Sequence, residues 1–293
     1  MNKKVKELVL TNTGLLLAII SALLYAFNVV IEKYYISYIS SEMILFLMYF
    51  GAGFGLFSIY LFTRNKNKNK ENKLTSKETP LIVLIVVCEL LASFLMIEAV
   101  KRVDASLVSL LSVFEIIMTA ICAYFIFKDP IEKNETVSII LMVIGCIVLN
   151  FKVGIFTNIS FSSLLVILGC LCWGIENNVT AMISAKEPAL FTAIKCGMVA
   201  LLYLIIVLLR GTFNISYPAL IFLGFFSYGL SILAYAVSTK YLGANRATLV
   251  FSFSPIFGVL LALIFYKEHI TTTFLISMVI MIAAIICINT KNK

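Results

Sequence analysis

Residues 172–180 read CWGIENNVT, Cys172 to Thr180, and they interrupt a long apolar run. A carboxylate and two consecutive amides stand where the neighbours are hydrocarbon. An unpaired polar group in such surroundings costs several kcal/mol, so the cluster is either satisfied internally or put to use. The composition says what the surroundings are. The chain is 61% hydrophobic and 13% charged, with mean hydropathy +1.05, whereas soluble domains carry roughly 25% charged residues. A chain of 293 residues cannot hide that much apolar surface in a soluble core. The sequence predicts an all-α polytopic membrane protein.

Working outward from Cys172–Thr180, a spanning helix needs about 20 apolar residues. Ten stretches qualify, at 13–32, 42–63, 80–100, 104–127, 134–151, 161–183, 189–209, 216–238, 245–266 and 271–289. The N-terminal MNKKVKE followed by an apolar run imitates a signal peptide. The run from Gly14 to Ile31 is longer than a typical h-region and no small-residue cleavage site follows, so it reads as the first span. Connections are short except RNKNKNKENKLTSKE, Arg64 to Glu78, which reads as a solvated basic loop without regular structure. Its lysines suit anionic lipid.

The net charge of +8 belongs to membrane orientation rather than to nucleic acid. With the N-terminus in the cytoplasm, sixteen Lys and Arg fall inside: Lys3, Lys4, Lys6, six in the 64–77 loop, Lys128, Lys133, Lys186, Lys240, Arg246, Lys291 and Lys293. Six fall outside: Lys33, Lys101, Arg102, Lys152, Arg210 and Lys267. Both termini are expected in the cytoplasm of a cell-membrane protein, with Tyr34, Tyr35 and Tyr38 in an outer aromatic belt. The seven cysteines all lie in apolar runs and read as thiols acting as small hydrophobes. The single histidine, His269, sits at a span end. No metal site and no cofactor is expected.

The halves resemble each other. LYAFNVV (Leu24–Val30) aligns with CWGIENN (Cys172–Asn178) at an offset of 148, pairing Tyr25 with Trp173 and Asn28 with Glu176. SVFEIIMTAICAYFIFKDPI (Ser112–Ile131) aligns, from Val113 on, with SFSPIFGVLLALIFYKEHI (Ser252–Ile270) at an offset of 139, pairing Glu115 with Ser254. The longer loop after the second span accounts for the difference in offset. Each repeat holds five spans. An odd number sends the second copy into the membrane from the opposite side. The expected architecture is therefore two inverted five-helix repeats, residues 1–151 and 152–293.

CWGIENN, FEIIMTAICAYFIFKDPI, YGLSILAYAVSTKYLGANRA and FSPIFGVLLALIFYKEHI resemble, in order, the motifs of the EamA family of the drug/metabolite transporter superfamily. The resemblance runs from about Gly14 to Asn289. It implies a central cavity between the repeats and carriage of small organic solutes, and it puts Glu115 at the family's fourth-helix carboxylate. The chain departs from the pattern at Tyr25-Ala26, where Trp-Gly is frequent, and at Glu115-Ile116, where Glu-Pro is frequent. Pro255 is kept in the ninth span. The second span lacks a basic residue near Met48, while the seventh keeps Lys195.

Ionisable residues inside spans are functional candidates by default. Glu89, Glu115 and Glu176 are the deepest and are the candidates for proton coupling. Trp173, Glu176, Asn177 and Thr180 fall at i, i+3, i+4 and i+7, one stripe of the sixth span. Ser112, Glu115 and Thr119 make a similar stripe on the fourth. Such stripes either face a cavity or glue helices by hydrogen bonds. The substrate-binding candidates are Tyr25, Asn28, Glu115, Trp173, Glu176, Asn177, Thr180 and Ser254, which place spans 1, 4, 6 and 9 around a cavity near the midplane. Glu89 aligns with Tyr228 at the 139 offset. Glu98 is expected to pair with Lys101 and Arg102 at the membrane edge. Lys195 has three readings: a partner for a buried glutamate, a contact for an anionic group, or, the favoured one, a side chain snorkelling to the interface. Gly51-x-x-x-Gly55 reads as close helix packing, since no nucleotide-binding context surrounds it.

The expected activity is alternating-access transport of a small organic solute, an amino acid, other metabolite or drug-like compound, driven by a proton or by exchange. The partners are then the solute and the bilayer, with no nucleic acid, in a monomer or homodimer. A membrane-embedded enzyme would need a convergent nucleophile, metal or base set. A passive channel would fit an open pore better than discrete polar stripes.

Overall fold

The computed structural model describes residues 3–63, 73–100, 112, 114–126, 128, 131–149, 161–266 and 272–289. Ten helical segments occur among them: α1 (Lys3–Tyr35), α2 (Ser41–Thr63), α3 (Thr79–Val100), α4 (Phe114–Phe125), α5 (Lys133–Leu149), α6 (Phe161–Ile183), α7 (Pro188–Arg210), α8 (Ala219–Leu242), α9 in two pieces (Ala244–Phe251 and Ser254–Tyr266) and α10 (Thr272–Asn289). No strand occurs among the described residues. Among the described residues, six stretches are long and apolar enough to cross a membrane: Leu10–Asn28, Ser41–Thr63, Ser76–Met96, Leu164–Ile183, Pro188–Arg210 and Ala219–Leu242. The first part of the expected fourth span, residues 104–111, lies outside the described residues.

Three elements depart from the sequence reading. α1 begins ten residues before the expected 13–32 span, because KKVKELVLTNT contains no Gly or Pro to stop the helix once it has started. The ninth span is broken at Ser252–Phe253, where Pro255 has no N–H to give to the Phe251 carbonyl. The end of the basic loop is structured: Ser76–Glu78 is a 3₁₀ turn, and its Thr75 cap and Glu78 carboxylate satisfy each other's backbone in a capping box. The lysines at 66, 68 and 70 lie outside the described residues.

The bundle is apolar outside and polar within. Leu16, Phe54, Phe62, Leu209, Phe222 and Ile264 are exposed, while Asn28, Glu89, Glu176, Asn177 and Lys195 are buried. That distribution suits hydrocarbon as solvent. Its principal packed pairs are α2 with α7, α5 with α10, α3 with α6, α1 with α8, α4 with α6, α1 with α9, α2 with α8, α3 with α7 and α4 with α9. Exchanging each helix of the first five for its counterpart five places on maps these pairs onto one another, whereas α7–α8 and α8–α9, which pack as extensively as α3–α7 and α4–α9, have no comparable counterpart among the described residues. The two-fold likeness of the sequence is thus also a likeness of packing.

Close approach makes the α2–α7–α8 seam. A Cβ on Gly51 would stand 1.9 Å from the Ile221 carbonyl oxygen, and one on Gly53 would stand 2.8 Å from the Gly197 nitrogen. The glycines of GAGFG are packing residues, as expected. Midway along α8, Gly224–Gly229 is a π-helical turn. Such turns re-aim side chains and gather at functional positions. This one carries Tyr228.

Ion pairs join the halves at both ends. Lys186, in the α6–α7 turn, reaches Glu78 at 2.5 Å, and Arg246 at the start of α9 holds Glu132 (2.6 Å) and Glu135 (3.1 Å) before and in α5. At the opposite end, Arg210 holds Glu42, and Tyr35 packs edge-on to Tyr217 at 5.3 Å.

Candidate functional site

Seven helices contribute side chains to one cavity of about 70 Å³: Tyr25 from α1, Glu89 from α3, Glu115 from α4, Trp173, Glu176, Asn177 and Thr180 from α6, Phe191, Thr192 and Lys195 from α7, Tyr228, Ser231, Ile232 and Tyr235 from α8, and Phe251 from α9. Single rows of these helices dictate the lining. On α6 the i, i+3, i+4, i+7 stripe turns inward as a unit, and Gly174 beside it lets α4 approach, since a Cβ there would meet the Met118 carbonyl carbon at 2.7 Å. Asn178 closes that contact by donating to the Thr119 and Gly174 carbonyls at 3.0 and 2.9 Å. Asn178 is helix glue. Asn177 does both jobs: its Nδ2 donates to Glu115 Oε1 at 2.9 Å and to Thr119 Oγ1 at 3.2 Å.

The centre of the site is a shared ammonium. Lys195 Nζ donates to Glu89 Oε2 at 2.7 Å and to Glu176 Oε1 at 2.5 Å. The three side chains are 3–7% exposed. The snorkelling reading of Lys195 is therefore corrected. The residue lies about two turns inside α7 and lines the cavity, with two carboxylates beside its charge. Glu89 is fully engaged: its Oε1 accepts from Tyr49 and, at 2.6 Å, from Tyr228. Glu176 is not. Its Oε2 is buried with no hydrogen-bond partner among the described residues. Among the described lining residues three carboxyl groups face one ammonium.

Of the residues expected from the sequence, the structure brings together Tyr25, Glu89, Glu115, Trp173, Glu176, Asn177 and Thr180. Asn28 and Ser254 lie outside the lining. Asn28 is 2% exposed and accepts from Ser227 at 2.5 Å, and Ser254 is buried. Four spans were expected around the cavity, and α3, α7 and α8 join them. Their residues carried a signal that could have been read. Lys195 is the one charged residue within the seventh apolar run. Tyr228 aligns with Glu89 at the 139 offset, and its hydroxyl donates to the Glu89 carboxylate at 2.6 Å. The Glu98 pairing falls on Lys101 and Arg102, outside the described residues. Cys88, Cys122 and Cys196 are buried free thiols, as expected of small hydrophobes.

A bundle of apolar helices in two matching sets of five, with its charges gathered round an internal cavity, is a multi-pass membrane protein of transporter architecture. The family profile described as the EamA-like transporter family matches residues 12–151 and again residues 160–290. The chain belongs to that family, within the drug/metabolite transporter superfamily, whose members are transporters rather than enzymes. A solved crystal structure superposes with TM-score 0.79 at 11% identity, covering 95% of this chain and 96% of that one, and so shares its fold. No curated protein matches the sequence.

Proposed function

We propose that the chain is a secondary active transporter that carries a small organic solute by alternating access. Ten spanning helices form two five-helix repeats, residues 1–151 and 152–293, of opposite orientation in the cell membrane, with both termini cytoplasmic. The observation that carries the reading is the convergence of Glu89, Glu115, Glu176 and Lys195 on one cavity between the matched halves. Charges this deep are retained where water, solute or a counter-charge meets them.

The geometry divides the labour. Glu89, held by two tyrosines and Lys195, anchors the network. Glu176 shares Lys195 but keeps one oxygen unpartnered, so it is the carboxyl able to exchange a proton or a solute contact without dismantling the bundle. Proton arrival at Glu176 would leave Lys195 to Glu89 alone and lower the hold on a solute there. Glu115, oriented by Asn177, is the second such group. Rocking of the halves would break one set of end pairs at a time, Glu78–Lys186 and Glu135–Arg246 at one end, Glu42–Arg210 at the other.

The test is counterflow in proteoliposomes, screened over amines, amino acids and nucleobases, for the native chain and Glu176→Gln. The amide keeps size and hydrogen bonding but cannot ionise. Saturable counterflow that Glu176→Gln abolishes, together with its pH dependence, is expected. A folded variant with unchanged rate and pH dependence would make Glu176 helix glue, and non-saturating conductance would make the protein a channel.

A further inference from the structure

We infer that the cavity takes a protonated amine bearing at least one N–H, which it donates to Glu176 Oε2, with an apolar body against the aromatic wall. The inference rests on the transporter reading of the same cavity and names its substrate class.

Charge excludes the alternative anion. The one cation among the described residues of the wall, Lys195, already donates to two carboxylates at 2.5 and 2.7 Å. An anionic solute would have to displace one of them and then sit among three carboxyl groups, where like charges repel strongly because water is excluded. A cation meets the opposite balance. The orphan acceptor makes the demand specific. Glu176 is 5% exposed, lines the cavity, and its Oε2 has no donor among the described residues. A ligand with its own N–H or O–H completes it, and an ammonium N–H gives the charge-assisted form of that bond. A quaternary ammonium supplies charge without the donor.

The rest of the wall suits the body of such a molecule. Tyr25 packs edge-on to Phe251 at 5.1 Å, and Phe251 to Tyr235 at 5.4 Å, giving a continuous aromatic surface. Trp173 stands one turn before Glu176 on the same stripe. Ring faces favour cations and apolar groups alike.

Trp173 is the only tryptophan of the chain and lines the cavity, so its fluorescence reports occupancy. Three non-absorbing probes of similar shape decide the matter in nanodisc-embedded protein: cyclohexylmethylamine at neutral pH, its N,N,N-trimethyl derivative, and cyclohexylacetate. We expect saturable binding of the amine, at least about tenfold tighter than the trimethyl compound, the worth of one charge-assisted hydrogen bond. The carboxylate should not bind. Glu176→Gln should weaken the amine and erase its advantage over the trimethyl form. Equal affinity for amine and trimethyl compound, preference for the carboxylate, or no saturable response to any of the three overturns the inference. The ladder on the native chain decides even if the variant does not fold. Counterflow separates the two readings. Amine preference without any solute flux fails the transporter reading alone. Flux of another solute that the amine neither enters nor competes with fails the ligand class alone.

Discussion

Lys195→Met is the substitution that most directly probes the centre of this protein. Methionine keeps much of the stem's volume and removes the charge. In the native chain one ammonium serves Glu89 and Glu176 at 2.7 and 2.5 Å. Exposures of 3–7% for the three side chains leave solvent almost no room to screen what remains. Removing one partner of a buried ion pair costs about 3–5 kcal/mol, because the other charge is left uncompensated. Here two carboxylates are stranded together, and the upper part of that range applies until one takes a proton. The structure also predicts non-additivity. In a Glu176→Gln background only Glu89 is stranded, and it retains the hydroxyls of Tyr49 and Tyr228. The same Lys195→Met change should then cost less by ~1–3 kcal/mol, the usual range for groups sharing a network. Equilibrium unfolding in mixed micelles, followed by far-ultraviolet circular dichroism for the four members of the cycle, measures this. A Lys195→Met protein within about 0.5 kcal/mol of native, the scatter of an ordinary surface change, would refute the buried triad. Equal costs in the two backgrounds would show that Lys195 does not couple Glu89 to Glu176.

Two further outcomes follow from packing and from charge. Gly224→Ala places a Cβ 2.4 Å from the Met48 backbone and should destabilise the α2–α8 seam by at least ~1–3 kcal/mol, as overpacking does, whereas at Gly197 a Cβ meets nothing within 4 Å and Ala should be neutral or stabilising in the same unfolding assay. A cysteine placed at Lys70, after the native thiols are shown to be silent, should resist an impermeant thiol reagent added outside intact cells; rapid labelling would reverse the expected topology drawn from the sixteen-to-six distribution of Lys and Arg.

Membrane class, helix positions and family were legible in the sequence, because each depends on properties summed along the chain. Hydropathy over some twenty residues does not depend on which neighbour a helix finds, so 42–63 and 161–183 coincide with α2 and α6 almost to the residue. The stripe of Trp173, Glu176, Asn177 and Thr180 was legible for the same reason: helical periodicity is local, and the four do face one cavity. The partner of each polar group was not legible. Whether Lys195 snorkels or pairs depends on Glu89, 106 residues away, and on Glu176, 19 away. Asn177 and Asn178 are adjacent and chemically identical, yet one reaches Glu115 at the cavity and the other ties α6 to the Thr119 carbonyl of α4. Asn28 was expected beside the solute because it aligns with Glu176, but Ser227 claims its oxygen. Such choices are made by packing: burial raises the cost of an unmet hydrogen bond or charge until the nearest available partner is taken, and only the tertiary structure decides which partner is near.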